Sequence, residues 1–509
     1  MSSRVPSGQP LAGADSPPPV RRVPAVLVSA PASGHGKTTV VAAFARLLAR
    51  QGLRVRVFKY GPDFLDPAWH TLASGATVHN LDLGMTGEDD IRQRLHDAAG
   101  EADFIIVEGV MGLYDGTPSA AELARLLDLP VLAVIDASKM AGTVGALAHG
   151  LRSWMPGLRW AGTLANRVAS PRHAQLLADA LCRRPGMPSP ADTPDPGYLG
   201  AIFRNEDFGL PARHLGLVAD HEMPDALARL DAAADALADT VLGQLDESRL
   251  RAWHTAFAPP SPPLPAFPPC LAGRRIAIAR DAAFSFIYPA NLDTLRMLGA
   301  ELHFFSPLAG ESLPVCDGLW LPGGYPELHA STLSACTALA AQIREHVESG
   351  KPVWAECGGM LPLFSQLSYD GQRWPMWNIL PGEIHFGQRL AGLGMQQLHW
   401  PAPVSSQKAH SADLSCPVSA TDATSPLRGH TFHYSRCQTP LQPVAHSHRP
   451  DQPEGGDRSE PVYQHHQLRA SYFHAWFASA PLRVAALFGA GLPAQQPGGP
   501  APLADGGRA

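Results

Sequence analysis

Ala25-Val-Leu-Val-Ser-Ala-Pro-Ala-Ser-Gly-His-Gly-Lys-Thr-Thr39 decides how the first half of the chain is read. An apolar, β-prone run enters a turn with glycines at 34 and 36, and the apolar residues after Thr39 recur at helical spacing as far as Arg50. Strand, glycine turn and helix in that order make a phosphate cradle. Backbone N–H groups around Gly34 and Gly36 point at phosphate oxygens, Lys37 reaches the β/γ-phosphates, the Thr38 hydroxyl ligates Mg²⁺ beside Thr39, and the helix sets its positive end beneath the charge. The G-x-x-x-x-G-K-[ST] pattern is incomplete, since Pro31 holds its first glycine position. A surface turn with a lysine would share the composition. The placement between a strand and a helix favours nucleotide binding.

Outward from this stretch, apolar runs at Arg54–Tyr60, Phe104–Val110, Pro130–Ala137, Ala161–Val168 and Tyr198–Phe203 alternate with helical segments. Continuous apolar strands between helices imply a parallel sheet covered on both faces, with ligands beyond the carboxyl ends of the strands. The polar residues at those ends are Lys59, Asp63, Glu108, Asp136 and Asn166. A carboxylate after Phe104-Ile-Ile-Val107 needs a partner, because an unpaired buried charge costs several kcal/mol. Mg²⁺ takes oxygen ligands, and Thr38, Asp63 and Glu108 are the set expected to hold it. Turn chemistry around Pro62 and Pro67 is the competing explanation for Asp63 and Asp66.

At 509 residues the chain exceeds what one hydrophobic core supports, so two or three domains are expected. Residues 1–22 and 492–509 read as disordered tails and 23–245 as the P-loop domain. Residues 246–272, with Ala-Pro-Pro-Ser-Pro-Pro-Leu-Pro-Ala-Phe-Pro-Pro, read as a stiff linker, and 273–491 as a second domain carrying an inserted loop at 437–467. A formal net charge of −6 gives no general attraction to nucleic acid or to an anionic membrane. No stretch reaches the ~18 apolar residues of a membrane span, and the first 22 residues lack the apolar run of a signal peptide. Seven cysteines, scattered and without CxxC spacing, suggest a reducing cytoplasm and no zinc site.

In the second half, strands are expected at Arg275–Arg280, Glu301–Ser306, Gly318–Leu321 and Pro352–Glu356, with helices around Pro289–Leu298 and Leu333–Glu348. The last strand runs into Cys357-Gly358-Gly359, the layout of a nucleophile elbow. Its glycines permit a sharp turn, and a following helix would lower the thiol pKa. Acyl chemistry also needs oxyanion donors. Gly323 and Gly324, in Leu321-Pro-Gly-Gly-Tyr-Pro-Glu327, can supply N–H groups together with Gly358. His474, in Ser-Tyr-Phe-His-Ala-Trp-Phe, is the candidate base. With 22 histidines in the chain, a packed core role for it stays open.

Together these motifs resemble the cobyrinic acid a,c-diamide synthase family. The resemblance is carried by Ala30-Pro-Ala-Ser-Gly-His-Gly-Lys-Thr-Thr39, Lys59-Tyr-Gly-Pro-Asp63, Glu108-Gly-Val-Met-Gly-Leu-Tyr-Asp-Gly116 and Arg213-His-Leu-Gly-Leu-Val218, and in the second half by Gly323-Gly-Tyr-Pro-Glu-Leu-His-Ala330, Ala355-Glu-Cys-Gly-Gly359, Phe432-His-Tyr-Ser435 and Ser471-Tyr472 with His474. It implies an α/β architecture of two doubly wound domains. The first is a dethiobiotin-synthetase-like P-loop domain, and the second a flavodoxin-like class I (triad) glutamine amidotransferase domain. It further implies ATP with Mg²⁺, ammonia released from glutamine at Cys357 with His474 as base, and amidation of the a and c carboxylates of cobyrinic acid through acyl phosphates. Asn166 would read adenine, Lys37 and Lys59 would neutralise charge in transfer, and Arg280, Arg428 and Arg436 are candidate anchors for the polyanionic substrate. The resemblance leaves a homodimer open. The same enzyme acting on metal-free hydrogenobyrinic acid is the near alternative; a partition-type ATPase, or a regulatory protein with an inactive amidotransferase domain, is more distant. The chain departs from the family pattern at Thr431, where glutamate is usual, and at Trp476, where a second histidine is usual.

Overall fold

The computed structural model describes residues 19–182, 197–205, 207, 212–213, 216–217, 223–399, 425–452 and 459–490. The expected tails lie almost wholly outside these residues. In chain order the first elements are β1 (Arg21–Ser29), α1 (Lys37–Arg50), β2 (Val55–Tyr60), α2 (Asp66–Ser74), β3 (His79–Leu81), α3 (Glu88–Ala99), β4 (Phe104–Glu108), α4 (Ala120–Leu126), β5 (Val131–Asp136), α5 (Thr143–Ser153), β6 (Trp160–Val168), α6 (Pro171–Cys182) and β7 (Tyr198–Phe203). The short β8 (Ala212–Arg213) and β9 (Gly216–Leu217), then α7 (Ala226–Ala238), α8 (Glu247–Ala252) and β10 (His254–Phe257), follow. The chain forms two compact units. One comprises 1–56, 88–209 and 227–264, the other 57–87, 210–226 and 265–509, so that the division falls inside β2.

In the first unit β1 pairs in parallel with β4 and β5, β5 with β6, and β6 with β7, while β10 runs antiparallel to the start of β1. The wholly buried run of β4 explains its place beside β1. Burying Ile105, Ile106 and Val107 contributes about 1.5–3 kcal/mol each. Pairing with β10 corrects the linker expectation at its start: residues 247–257 are helix and strand with their own hydrogen bonds, and the extended proline-rich stretch follows them.

In the second unit come β11 (Arg275–Ala279), α9 (Pro289–Met297), β12 (Glu301–Phe305), β13 (Gly318–Leu321), α10 (Ala330–Ala335), α11 (Thr337–Glu348) and β14 (Val353–Glu356). After them lie β15 (Gln366–Tyr369), β16 (Gln372–Pro375), β17 (Glu383–Phe386), β18 (Gly392–Leu398), β19 (Leu427–His433), β20 (Ser435–Gln438), β21 (Ala445–His448), β22 (Pro461–His465), β23 (Leu468–Ser471), β24 (His474–Ala475) and α12 (Pro481–Leu487). The main sheet runs β12-β11-β13-β14-β23-β22-β21-β18-β19-β24. Its first five strands are parallel, and the rest extend it antiparallel. β21 and β22 therefore make much of the expected inserted loop a part of this sheet, and residues 453–458 lie outside the described residues. Cores on the two sides of the parallel strands contain Leu319, Leu321, Val353 and Ala355 on one side and Ile276, Trp320, Trp354 and Phe477 on the other. Cysteines 182, 316, 336, 357 and 437 are free.

Candidate active sites

In the first unit β1 ends at Ser29 and α1 begins at Lys37, so residues 30–36 form the expected cradle. Gly34 and Gly36 have φ of 85° and 87°, in the left-handed region that favours glycine. A Cβ on Gly36 would also lie 2.3 Å from Asn166 Nδ2. That amide donates to the His35 carbonyl at 3.0 Å, so Asn166 braces the loop. The Lys37 ammonium donates to the carbonyls of Met111 and Ala32 at 2.5 and 3.3 Å. The Thr38 hydroxyl donates to Glu108 Oε1 at 2.8 Å, and Glu108 is fully buried at the end of β4. Two hard oxygen donors so placed suit Mg²⁺, which needs only one or two protein oxygens beside phosphate and water. Arg167, which sequence reading passed over, donates to the Gly34 carbonyl at 2.9 Å and to Asp136 Oδ2 at 2.7 Å.

Lys59 and Asp63 belong to the second unit. The Lys59 ammonium is paired with Asp66 and lies 3.5 Å from Asp63 Oδ2. Burial opposes ionisation of Asp66, but the charges of Lys59 and His70 outweigh it and bring Asp66 down to about 2. Asp63 is pushed up to about 7 by burial and by Asp66, and its Oδ1 accepts from the Leu65 and Asp66 N–H groups. The turn reading of Asp63 thus has a physical basis beside the metal reading.

The second cluster grows from three neighbouring parallel strands. Leu321 pairs with Ala355 and Glu356 with Ser471, so the segments after β13, β14 and β23 emerge at one edge. They carry Gly323-Gly324, Cys357-Gly358 and His474. Cys357 has φ of 44°, a strained setting for a residue with a side chain. Gly358 must be glycine, because a Cβ there would stand 2.7 Å from the Gly324 carbonyl oxygen. A Cβ on Gly323 would come 2.4 Å from His474 Cε1, which places the imidazole against the same loop. The arrangement has a strained thiol, adjoining glycine backbone and a buried histidine, the parts that acyl transfer requires.

One expectation is corrected. The helix after Cys357 is a 3-10 helix, Cys357–Leu363, with Pro362 inside it, and it does not lower the thiol pKa as expected. Burial pushes the thiol well above its ordinary value, with Glu327, Glu460 and Glu356 adding to the effect against the Gly358 amide. Cys357 is therefore a thiol at rest, and its ionisation depends on a base. Burial, with His430 and His433 nearby, holds His474 well below the usual imidazole range, so it is neutral and able to accept a proton. The other two histidines are otherwise engaged. His433 Nδ1 faces the Ser435 carbonyl at 2.8 Å and its Nε2 faces Glu460 at 3.1 Å, while His430 Nδ1 lies 3.3 Å from the Tyr288 hydroxyl.

Sequence reading missed Glu460. Thr431, where the family pattern has glutamate, donates its hydroxyl to Glu460 Oε1 at 2.9 Å, so a carboxylate from 29 residues further on serves that neighbourhood. Phe64 was also missed. From the turn before α2 its ring stacks on Phe286 at 4.8 Å and meets Tyr288 at 4.3 Å and His474 at 5.3 Å. Its only sequence signal was an aromatic between two turn aspartates. Of the suggested anchors, Arg280 lies over the Phe304 ring at 3.8 Å, Arg428 donates to the Thr86 carbonyl at 2.8 Å, and Arg436 stands on β20.

Comparison with known proteins finds two family matches in succession along the chain. Residues 26–217 match the CobQ/CobB/MinD/ParA nucleotide binding domain, and residues 275–482 match the CobB/CobQ-like glutamine amidotransferase domain. The hydrogenobyrinate a,c-diamide synthase of Stutzerimonas stutzeri is 50% identical over 92% of this chain and 99% of its own length. That of Pseudomonas aeruginosa is 48% identical over 92% and 97%. The cobyrinate a,c-diamide synthase of Herminiimonas arsenicoxydans is 44% identical over 91% and 96%. With a phosphate cradle in one unit, a strained cysteine facing glycine backbone in the other, and this similarity along nearly its whole length, the chain belongs to the a,c-diamide synthase family, ATP-using ligases with a glutamine amidotransferase domain.

Proposed function

We propose that this protein uses ATP and glutamine to amidate the a and c acetate carboxylates of cobyrinic acid in cobalamin biosynthesis. The observation that carries the reading is Cys357 at φ 44°, with Gly358 packed against Gly324 and Gly323 against His474, in a chain whose Thr38 and Glu108 meet beside a glycine turn. The thiol gives its proton to His474 as sulfur attacks the glutamine carboxamide. The N–H groups of Gly323, Gly324 and Gly358 receive the oxyanion, and the imidazolium returns the proton to departing ammonia. Water then frees glutamate from the thioester. At the P-loop Gly34, Gly36, Lys37 and Thr39 would hold ATP, with Asn166 bracing the loop. Thr38 and Glu108 would hold Mg²⁺, whose charge offsets that of the phosphates. A carboxylate is a poor electrophile, and phosphorylation supplies the leaving group that ammonia displaces. ATP and glutamine are cytoplasmic metabolites, which supports that compartment. No helix of the described residues is long and apolar enough to cross a membrane.

A second reading is the same reaction on metal-free hydrogenobyrinic acid. It is favoured by the names of the 50% and 48% identical relatives. Incubating each corrinoid with enzyme, ATP, Mg²⁺ and glutamine, then reading product masses, separates the two. The diamide is expected from one or both, and no amide from either would refute the proposal.

A further inference from the structure

His474 needs an acceptor for its Nδ1–H if Nε2 is to take the thiol proton, and the residue two positions on cannot provide it. Trp476 is packed with Met85, Tyr288 and Ala290, and an indole N–H only donates. His474 Nδ1 is buried without a hydrogen-bond partner and faces Glu356 Oε2 at 4.0 Å, with both side chains 2% exposed. The register Glu356↔Ser471 brings the two together, since His474 lies three residues past Ser471. The other carboxyl oxygen of Glu356 is anchored, accepting from Trp354 Nε1 at 2.5 Å and from the Ala475 N–H at 3.4 Å. The 4.0 Å separation is about 1 Å beyond hydrogen-bond distance.

We propose that Glu356, the residue before the nucleophile, is the positioning residue of the glutaminase site: its carboxylate accepts the Nδ1–H of His474 and leaves the Nε2 lone pair for the Cys357 thiol. This rests on the reading of Cys357 and His474 given above. In the step it supports, the S–H proton moves to Nε2, the S–C bond forms and the carbonyl π pair goes to oxygen. The imidazolium, still donating Nδ1–H to Glu356, then protonates the amide nitrogen as the C–N bond breaks. Glu356 gains no proton. A protonated Glu356 does the opposite, because its O–H donates to Nδ1 and fixes the proton of neutral His474 on Nε2, where it cannot act as base. Burial pushes Glu356 up to about 8, against the indole of Trp354, so the change falls within an assayable range. The groups facing it are His474 on β24 with His430 stacked behind, Tyr288 before α9, Trp320 on β13 and the adjoining Cys357.

The test is glutaminase kcat and KM measured across roughly pH 6–10 for the full chain and for Glu356→Gln, Glu356→Asp and Cys357→Ser. Ammonium-supported amidation serves as the folding control. The native rate should rise with pH through about 8. Glu356→Gln should cut kcat by about 10- to 100-fold with little change in KM and flatten that rise, the scale of a lost orienting carboxylate at a cysteine site. Glu356→Asp should restore part of the rate together with the pH dependence, and it decides the matter if Glu356→Gln fails the folding control. A Glu356→Gln enzyme with native kcat and pH profile, or Glu356→Asp without the pH dependence, would overturn the proposal. Glutaminase activity surviving in Cys357→Ser would instead overturn the underlying reading.

Discussion

The phosphate cradle and the thiol site handle charge in opposite ways. At the cradle the charges are matched by direct partners: Thr38 to Glu108, Lys37 to two carbonyls, Arg167 to Asp136. In the second, burial keeps groups neutral. The Cys357 thiol is pushed up, Glu356 to about 8 and Glu327 to about 7, while His430 is pulled down to about 3. A site that receives a polyanion profits from fixed charge, since cations and helix dipoles need no reorganisation when phosphate arrives. A site that makes a thiolate only while bonding to carbon profits from a proton that moves on demand.

The contrast breaks most visibly if the cradle is damaged. Lys37→Ala and Glu108→Gln should lower amidation by about 10³-fold or more with either glutamine or ammonium as nitrogen source, the scale of losing charge stabilisation in phosphoryl transfer. Their basal glutaminase activity should persist. Product formation by either variant at native rates would remove these residues from the site. Next in size, His474→Ala should reduce glutaminase turnover by about 10²-fold or more, as for loss of a general base. Steady-state ammonia release measures it, and near-native turnover would shift the base to His430 or His433. The smallest effect concerns Trp476. Because its side chain is fully buried in an apolar cluster, Trp476→His should destabilise by about 3 kcal/mol or more in denaturant melts, yet change glutaminase turnover less than about tenfold. A larger catalytic loss would assign Trp476 a direct part.

Much of this was legible because it is local. The cradle is one continuous strand-turn-helix, and the elbow is a strand end followed by two glycines, so spacing sufficed. The strands β4, β5, β6 and β7 fell close to where the apolar runs put them. Contacts that depend on distant pairing were not legible. Glu356 meets His474 only through the β14–β23 register, which joins segments more than a hundred residues apart, and Thr431 meets Glu460 across a stretch that read as an inserted loop. The linker start failed for a related reason: α8 and β10 are short, and β10 gains its stability from β1 at the far end of the sequence. The thiol pKa was misjudged because a 3-10 turn containing proline, and not a long helix, follows Cys357, leaving burial to dominate.

That the two units divide the chemistry into ammonia release and carboxylate activation is tested most directly by Cys357→Ser. With cobyrinic or hydrogenobyrinic acid, ATP and Mg²⁺, product masses should show no amide from glutamine but the full a,c-diamide when a high concentration of ammonium salt is supplied. Loss of both activities in a folded variant, or amidation from glutamine at the native rate, would contradict that division.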